Sequence, residues 1–323
     1  MSIISNSTAS AIKDAATTVI KGDLVAFPTE TVYGLGADAT NEDAIARIYK
    51  VKGRPKGHPL IVHISSIAKL DKWARDIPEY AVNLARTFWP GPMTLILPRT
   101  DLAKDFITGS QGNVGIRIPS HTVALALLKE FESLGGLGVA APSANRFGAV
   151  SPTTASAVEM ELSDFLSEND QILDGGPCLV GVESTIINCT QTKPSILRPG
   201  ALTKKMIEGT LGITIDLNTL NSESAQIKAA GLLESHYAPN AKVFLTGLPT
   251  MGDGFIALNS ITTPSGAVRI AAPKTNDEYA QVLYEAFRLA DIKGIERVFV
   301  IPPTGDGIAV AINDRLSKSA FEK

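Results

Sequence analysis

Between Ala44 and Leu70 the chain carries Arg47, Lys50, Lys52, Arg54, Lys56, His58, His63 and Lys69, and neither Asp nor Glu. Inside that stretch, KVKGRPKGHPLIVHI places two glycines and two prolines among the cations and runs into an apolar strand. Rigid punctuation holds charge in a shaped loop, which is what a polyphosphate site needs; a solvated basic loop is the competing reading. In NVGIRIP (Asn113 to Pro119) strand alternation puts Val114, Ile116 and Ile118 on one face and Gly115 with Arg117 on the other. An arginine centred in such a strand needs an anionic partner, and a structural carboxylate serves as well as a ligand's carboxylate or phosphate. His63 faces away from Leu60, Val62 and Ile64, where a lone histidine also reads as a hydrogen-bonded core residue.

Further hydroxyls and cations sit at strand ends. PSANRFGAVSPT (Pro142 to Thr153) follows an apolar strand, and its Ser151 can cap a helix that has Pro152 at its first position. The same small polar side chains suit phosphate or ribose beside a helix N-terminus. GVESTIIN supplies Ser184 and Thr185, and LRPG supplies Arg198. The familiar phosphate loop, GxGxxG opening a helix, HExxH and GxSxG are absent, and GDGIAV (Gly305 to Val310) reads as a turn entering a helix.

The elements that must position these residues are short. An opening helix fits Ser7 to Lys21, LVAF (Leu24 to Phe27) a buried strand, and Thr40 with Asp43 a capping box for a helix towards Tyr49. Strands fit Leu60 to Ile64, Met93 to Pro98, Asn113 to Pro119, Gly136 to Pro142 and Ser184 to Cys189; helices fit Pro78 to Phe88, Thr122 to Leu134 and Thr153 to Leu162. Strands that follow both helices and turns imply an α/β sheet that is not purely parallel. From about Leu211 to Asn240 the pattern weakens into a polar connector. VFLTG, FIALN, a helix near Asp277 to Ala290, RVFVI (Arg297 to Ile301) and a last helix from about Ile308 then make a small doubly wound unit. The expected division is 1–210, a linker over 211–241, and 242–323.

At 323 residues, with 44% hydrophobic and 20% charged residues, the chain is long enough for two folded domains and too apolar for disorder. Thirty Lys plus Arg against 33 Asp plus Glu leave a net charge of -3, which argues against coating nucleic acid by bulk charge. Cys178 and Cys189 have neither zinc-site nor secreted-scaffold spacing and read as buried thiols. With no apolar run of about 20 residues and no leader-like start, a soluble cytoplasmic protein without membrane contact is expected.

Taken together, FPTETVYGLGADA, KGRPKGHPLIVHI, GIRIP, PSAN with SPT, ESTIIN and LRPG resemble, in order and spacing, the YrdC-type threonylcarbamoyl-AMP synthases. HYAP (His236 to Pro239) and GIAVAINDRLSKSA resemble the linker and carboxy-terminal domain of that family's longer, two-domain members. The resemblance implies a twisted open mixed sheet with a large concave cavity, plus a smaller Rossmann-like α/β carboxy-terminal domain. It implies an enzyme joining L-threonine, bicarbonate or CO2, and ATP into threonylcarbamoyl-adenylate and pyrophosphate. The product would pass to a tRNA threonylcarbamoyl-transfer complex, and Mg2+ would be held mainly by the ATP phosphates.

By the same resemblance Lys52, Arg54 and Arg117 are the catalytic residues, and Thr31, His63, Arg117, Ala141 and Ser184 hold threonine. Lys52, Arg54, His58, Asn113, Ser143, Asn145, Ser151, Arg198, His236 and Tyr237 engage ATP, the last two from a linker that acts as a lid. The linker departs from the family pattern in AAGLLES (Ala229 to Ser235), which lacks Lys and Arg, and Phe147 stands where a serine is common. Competing functions are a carbamoyl-adenylate enzyme with another acceptor, and an RNA-binding or ribosome-assembly module using the basic cavity. A paucity of aromatics, 6%, leaves few stacking platforms for the RNA reading. The carboxy-terminal domain is expected to position the lid or mediate assembly.

Overall fold

The apolar runs as far as Leu217 form short strands that pair into one sheet. The computed structural model describes residues 4–217, 227–228, 231 and 237–320. The strands are β1 (Ile4–Asn6), β2 (Val25–Phe27), β3 (Gly34–Asp38), β4 (Ile61–His63), β5 (Met93–Pro98), β6 (Asn113–Arg117), β7 (Val139–Ala140), β8 (Gln171–Asp174), β9 (Thr185–Asn188), β10 (Ser195–Arg198) and β11 (Asp216–Leu217). They lie in the order β1-β8-β2-β3-β7-β4-β6-β5-β9-β10-β11, with parallel pairs such as β4/β6 and β5/β9 beside antiparallel ones such as β2/β3 and β5/β6. The sheet is mixed, as the alternation of helical and tight connections requires.

Helices Ala9–Ile20 and Thr122–Ser133 cover one part of the sheet through Ala16, Val19, Leu127 and Phe131 packed on Phe27, Val139 and Leu173. The larger core gathers Ile45, Ile48, Trp73, Leu84, Leu95, Ile116 and Val158 from helices Glu42–Lys52, Leu70–Trp73, Glu79–Phe88 and Ala155–Leu162 and the strands beneath them. Burying each large apolar side chain contributes about 1.5–3 kcal/mol, so these contacts fix the frame on which the polar residues sit.

Several local expectations are corrected. Helix Glu42–Lys52 is capped by Asn41, whose Oδ1 accepts from Ala44 N at 3.1 Å, while Thr40 bonds Asp38. Helix Ala155–Leu162 is capped by Thr154, which leaves Ser151 for another partner. The strand expected over Gly136 to Pro142 contracts to Val139–Ala140. Strand β3 was not anticipated, because glycines weaken the strand signal. Gly36 is needed there: a Cβ would lie 2.7 Å from the Phe27 ring and 2.8 Å from Val139 Cγ1.

The second unit holds β12 (Lys242–Phe244), β13 (Gly254–Ile256), β14 (Val268–Ala271) and β15 (Arg297–Val300), all parallel, in the order β12-β15-β13-β14. Helices Asn276–Ile292 and Ile308–Ser319 pack against each other and the sheet. Its core does not end at its own boundary: Val32, Val150 and Val182 of the first unit join Tyr279, Leu283, Tyr284 and Phe287 in one buried cluster. Cys178 and Cys189 are buried free thiols. No helix among the described residues is long and apolar enough to cross a membrane.

Candidate active site

Strand register assembles the centre of the site. In the parallel pair β4/β6, His63 stands opposite Arg117, and in the antiparallel pair β5/β6, Thr94 stands opposite the same arginine. Register partners share a sheet face, so the three side chains project to one side while Val62, Ile116 and Leu95 enter the core on the other. Ser184, just before β9, accepts or donates a 2.8 Å hydrogen bond with Thr94 Oγ1. Arg198 brackets Ser184, its Nε and Nη2 donating to the Ser184 carbonyl at 3.1 and 2.9 Å and Nη2 also to Oγ at 3.1 Å.

His63, Arg117, Ser184 and Arg198 line a cavity of about 50 Å³ with Val32, Arg54, Ile61, Pro142, Ser143, Glu183, Gly231 and Tyr237. Three arginines, Arg54, Arg117 and Arg198, from stretches far apart in sequence, thus line one cavity. Arg117 Nη2 donates to Glu30 Oε1 at 2.7 Å and Thr31 Oγ1 at 2.9 Å, so this strand arginine has a structural carboxylate partner, and it also lines the cavity. The Nε–H groups of Arg54 and Arg117 are buried with no acceptor among the described residues. Buried charged donors without partners are costly, and an anion entering the cavity would satisfy them.

Electrostatics sharpen this picture. Burial, then the charge of Arg117, lowers the His63 pKa to about 3, so the ring is neutral at pH 7; its Nδ1 lies 3.2 Å from the Ile61 carbonyl, which accepts from it. Burial works to raise the pKa of Glu183, but Arg315 and Arg198 overcome it and hold the carboxyl at about 2. Glu183 accepts from Ser151 at 2.6 Å, from Tyr284 at 3.0 Å and from Arg315 Nε at 2.8 Å. Tyr237 stacks on Tyr284 with ring centroids 5.9 Å apart, and the Arg315 guanidinium lies 5.2 Å from the Tyr237 ring centre.

The other residues singled out from sequence stand around this cavity rather than on its wall. Thr31 lies behind Arg117, and Ala141 is buried where its N–H donates to the Ile61 carbonyl. Lys52 is buried, with Nζ donating to the carbonyls of Ser143 (2.6 Å) and Asn145; burial and the Arg54 charge lower its pKa well below the ordinary lysine value. It therefore ties helix Glu42–Lys52 to the PSAN loop. Asn145 donates from Nδ2 to the Arg146 and Ala149 carbonyls, and Ser151 serves Glu183 instead of a helix cap. His58 meets the Phe147 ring at 5.3 Å, and Asn113 lines a separate small recess with Gln111, Ile227 and Lys228. His236 and the segment Ala229–Ser235, apart from Gly231, lie outside the described residues.

Sequence reasoning missed Glu30, Thr94, Glu183, Tyr284 and Arg315. The signal for the two acids was present: each sits among hydroxyls, in TET and VEST, in a chain whose other motifs are cationic.

A family model for Sua5, YciO and YrdC proteins, described as telomere recombination, matches residues 18–200, and one for the carboxy-terminal domain of threonylcarbamoyl-AMP synthase matches residues 202–321. The chain belongs to the Sua5/YciO/YrdC family. Two threonylcarbamoyl-AMP synthases, from Pyrococcus abyssi and Bacillus subtilis, are each 38% identical to it over 96% of this chain, covering 94% and 92% of their own lengths. The crystal structure of P. abyssi Sua5 complexed with L-threonine superposes with a TM-score of 0.88 at 36% identity, over 99% of this chain and 98% of that one. The Sua5-type arrangement of a large mixed-sheet domain followed by a smaller α/β domain is thus shared along essentially the whole chain.

Proposed function

We propose that this protein is a threonylcarbamoyl-AMP synthase, joining L-threonine, bicarbonate or CO2, and ATP to give threonylcarbamoyl-adenylate and pyrophosphate. The observation that carries the reading is that Arg54, Arg117 and Arg198 line one cavity, two of them with buried Nε–H groups that lack acceptors among the described residues. In this chemistry threonine's amine and CO2 give a carbamate, whose oxygen attacks the α-phosphorus of ATP while pyrophosphate departs. The substrates bring the nucleophile, so the protein's task is to align two anions and spread their charge.

Arg117, oriented by Glu30 and Thr31, is placed to fork onto the threonine carboxylate, with Ser184 and neutral His63 beside it. Arg54 and Arg198 would neutralise the phosphates. Tyr237 and Gly231 line the same cavity, and the Tyr237 ring would help keep water from a hydrolysable mixed anhydride. The donor set does not suit a resident metal: no cluster of three or more His, Cys, Asp or Glu able to hold one occurs among the described residues, and Glu30 and Glu183 are engaged by arginines. Magnesium, in this reading, is carried by the phosphates of ATP. The product would be consumed by transfer to tRNA.

The test is pyrophosphate release from ATP with magnesium and bicarbonate, threonine present or omitted, in wild type and Arg117→Ala. Threonine-dependent release that the variant loses is the expected result. No release under any condition, with RNA binding retained, would move the function to the non-enzymatic class.

A further inference from the structure

Among the described residues Arg54 lacks the carboxylate partner that three other buried arginines have. Arg117, Arg288 and Arg315 each pair with a carboxylate, Glu30, Glu161 and Glu183 respectively, whereas among the described residues Arg54 makes no ion pair. Its Nη2 donates to the Pro59 carbonyl at 3.0 Å and its Nε has no acceptor among the described residues. A long cationic side chain held by one carbonyl has torsional freedom to lose before it can meet a ligand squarely.

The Phe147 ring supplies the missing restraint. The Arg54 guanidinium lies 5.8 Å from its centre, within cation–π range, and the His58 ring meets it edge-on at 5.3 Å with an interplanar angle of 64°. Its backbone is pinned as well: Phe147 N donates to the Lys52 carbonyl at 2.8 Å, and the preceding Arg146 donates to the Val51 carbonyl. The loop carrying Arg54 leaves helix Glu42–Lys52 through Gly53, whose φ of 62° lies in the left-handed region, and Tyr49 Oη holds the loop's far end at the His58 carbonyl, 2.9 Å away. Phe147 therefore faces both ring and cation from a backbone that cannot easily move.

We propose that Phe147 is a positioning residue that holds Arg54, with His58, in the orientation that receives the phosphates of the nucleotide. This rests on the adenylation reading for the identity of the ligand, a polyphosphate. The aromatic face attracts the cation without neutralising it, so Arg54 stays fully available to an anion, which a carboxylate in the same place would prevent.

The experiment measures binding of inorganic pyrophosphate, and separately of L-threonine, by calorimetry to wild type, Phe147→Leu and Phe147→Tyr. Leucine keeps apolar bulk and removes the π face; tyrosine keeps the π face. Phe147→Leu is expected to bind pyrophosphate about three- to ten-fold more weakly, the scale of a partly buried cation–π contact. Phe147→Tyr stays near wild type, and threonine binding is unchanged in both. In Phe147→Leu the NMR-detected His58 titration also moves, because the ring that shields it from water beside the Arg54 and Lys228 charges is gone. Wild-type pyrophosphate affinity in Phe147→Leu overturns the proposal, as does parallel loss of pyrophosphate and threonine in both variants or a wild type that does not bind pyrophosphate. Should wild type bind pyrophosphate yet never release it from ATP and threonine, the adenylation reading fails while the coupling of Phe147 to Arg54 is still decided by the binding data.

Discussion

Glu183 and Arg315 meet across the two units of the chain, Oε2 to Nε at 2.8 Å, with the arginine side chain wholly buried and the glutamate 7% exposed. Glu183 lines the cavity and is followed directly by Ser184, so a residue near the end of the chain holds the backbone beside the site. Arg315 also donates to the Pro199 carbonyl at 3.1 Å, next to Arg198, which joins the two strand ends of the site to the last helix.

Removing one member of that pair leaves the other charge buried and alone. Arg315→Met is expected to cost about 3–5 kcal/mol in urea unfolding, whereas Arg315→Met combined with Glu183→Met recovers part of it. A loss in the double variant equal to the sum of the separate Arg315→Met and Glu183→Met losses would show that the two charges are not coupled.

Arg117 needs its fork. Arg117→Lys keeps the positive charge but cannot contact Glu30, Thr31 and a second carboxylate in one plane, so threonine-dependent pyrophosphate release is expected to fall at least ten-fold. Lysine supporting normal turnover would mean that charge alone suffices.

Acid sensitivity follows from two depressed pKa values. His63 binds its proton at about 3 in the folded protein against 6.5 ordinarily, so its stabilising contribution is complete above pH 6.5 and lost as pH falls towards 3. Glu183, at about 2 against 4.5, contributes fully above pH 4.5 and loses its contribution as pH falls to about 2. Each extra proton bound by the unfolded chain costs about 1.4 kcal/mol per pH unit. Urea midpoints between pH 6.5 and 4.5 are expected to fall more steeply in wild type than in His63→Gln; the comparison isolates this ring from His58 and His121, whose values are also lowered. Parallel slopes would remove His63 from the account.

The glycine of LRPG has a steric reason to be there. A Cβ on Gly200 would lie 2.5 Å from Thr185 N and 2.7 Å from the Glu183 carbonyl oxygen, so Gly200→Ala must push on the backbone that carries Ser184. The change is expected to cost about 1–3 kcal/mol in urea unfolding and to weaken threonine binding measured by calorimetry. Unaltered threonine affinity would show that the displacement is absorbed elsewhere.

Much of the architecture was legible in the chain. The apolar alternation of Val114, Ile116 and Ile118 fixed which way Arg117 points, and the acid-free stretch from Ala44 to Leu70 marked Arg54 and His63. Strands such as Met93–Pro98 and helices such as Thr122–Ser133 appear within a residue or two of where periodicity puts them, because local pattern and tertiary burial agree there. Strand β3 was illegible for the opposite reason: its Gly36 is set by close approach of Phe27 and Val139, which no local pattern records.

What the sequence by itself determined was the set of chemical groups, their faces on each strand and, through its motifs, the family. What only the tertiary structure decided was partnership. That His63 and Thr94 both register with Arg117, that Lys52 is tied to the carbonyls of Ser143 and Asn145, and that Ser151 and Arg315 converge on Glu183 depends on strand order and domain docking. A buried charge must find its counter-charge or acceptor wherever the fold brings one, and that choice is made across 132 residues of chain in the case of Glu183 and Arg315, far beyond the reach of local spacing.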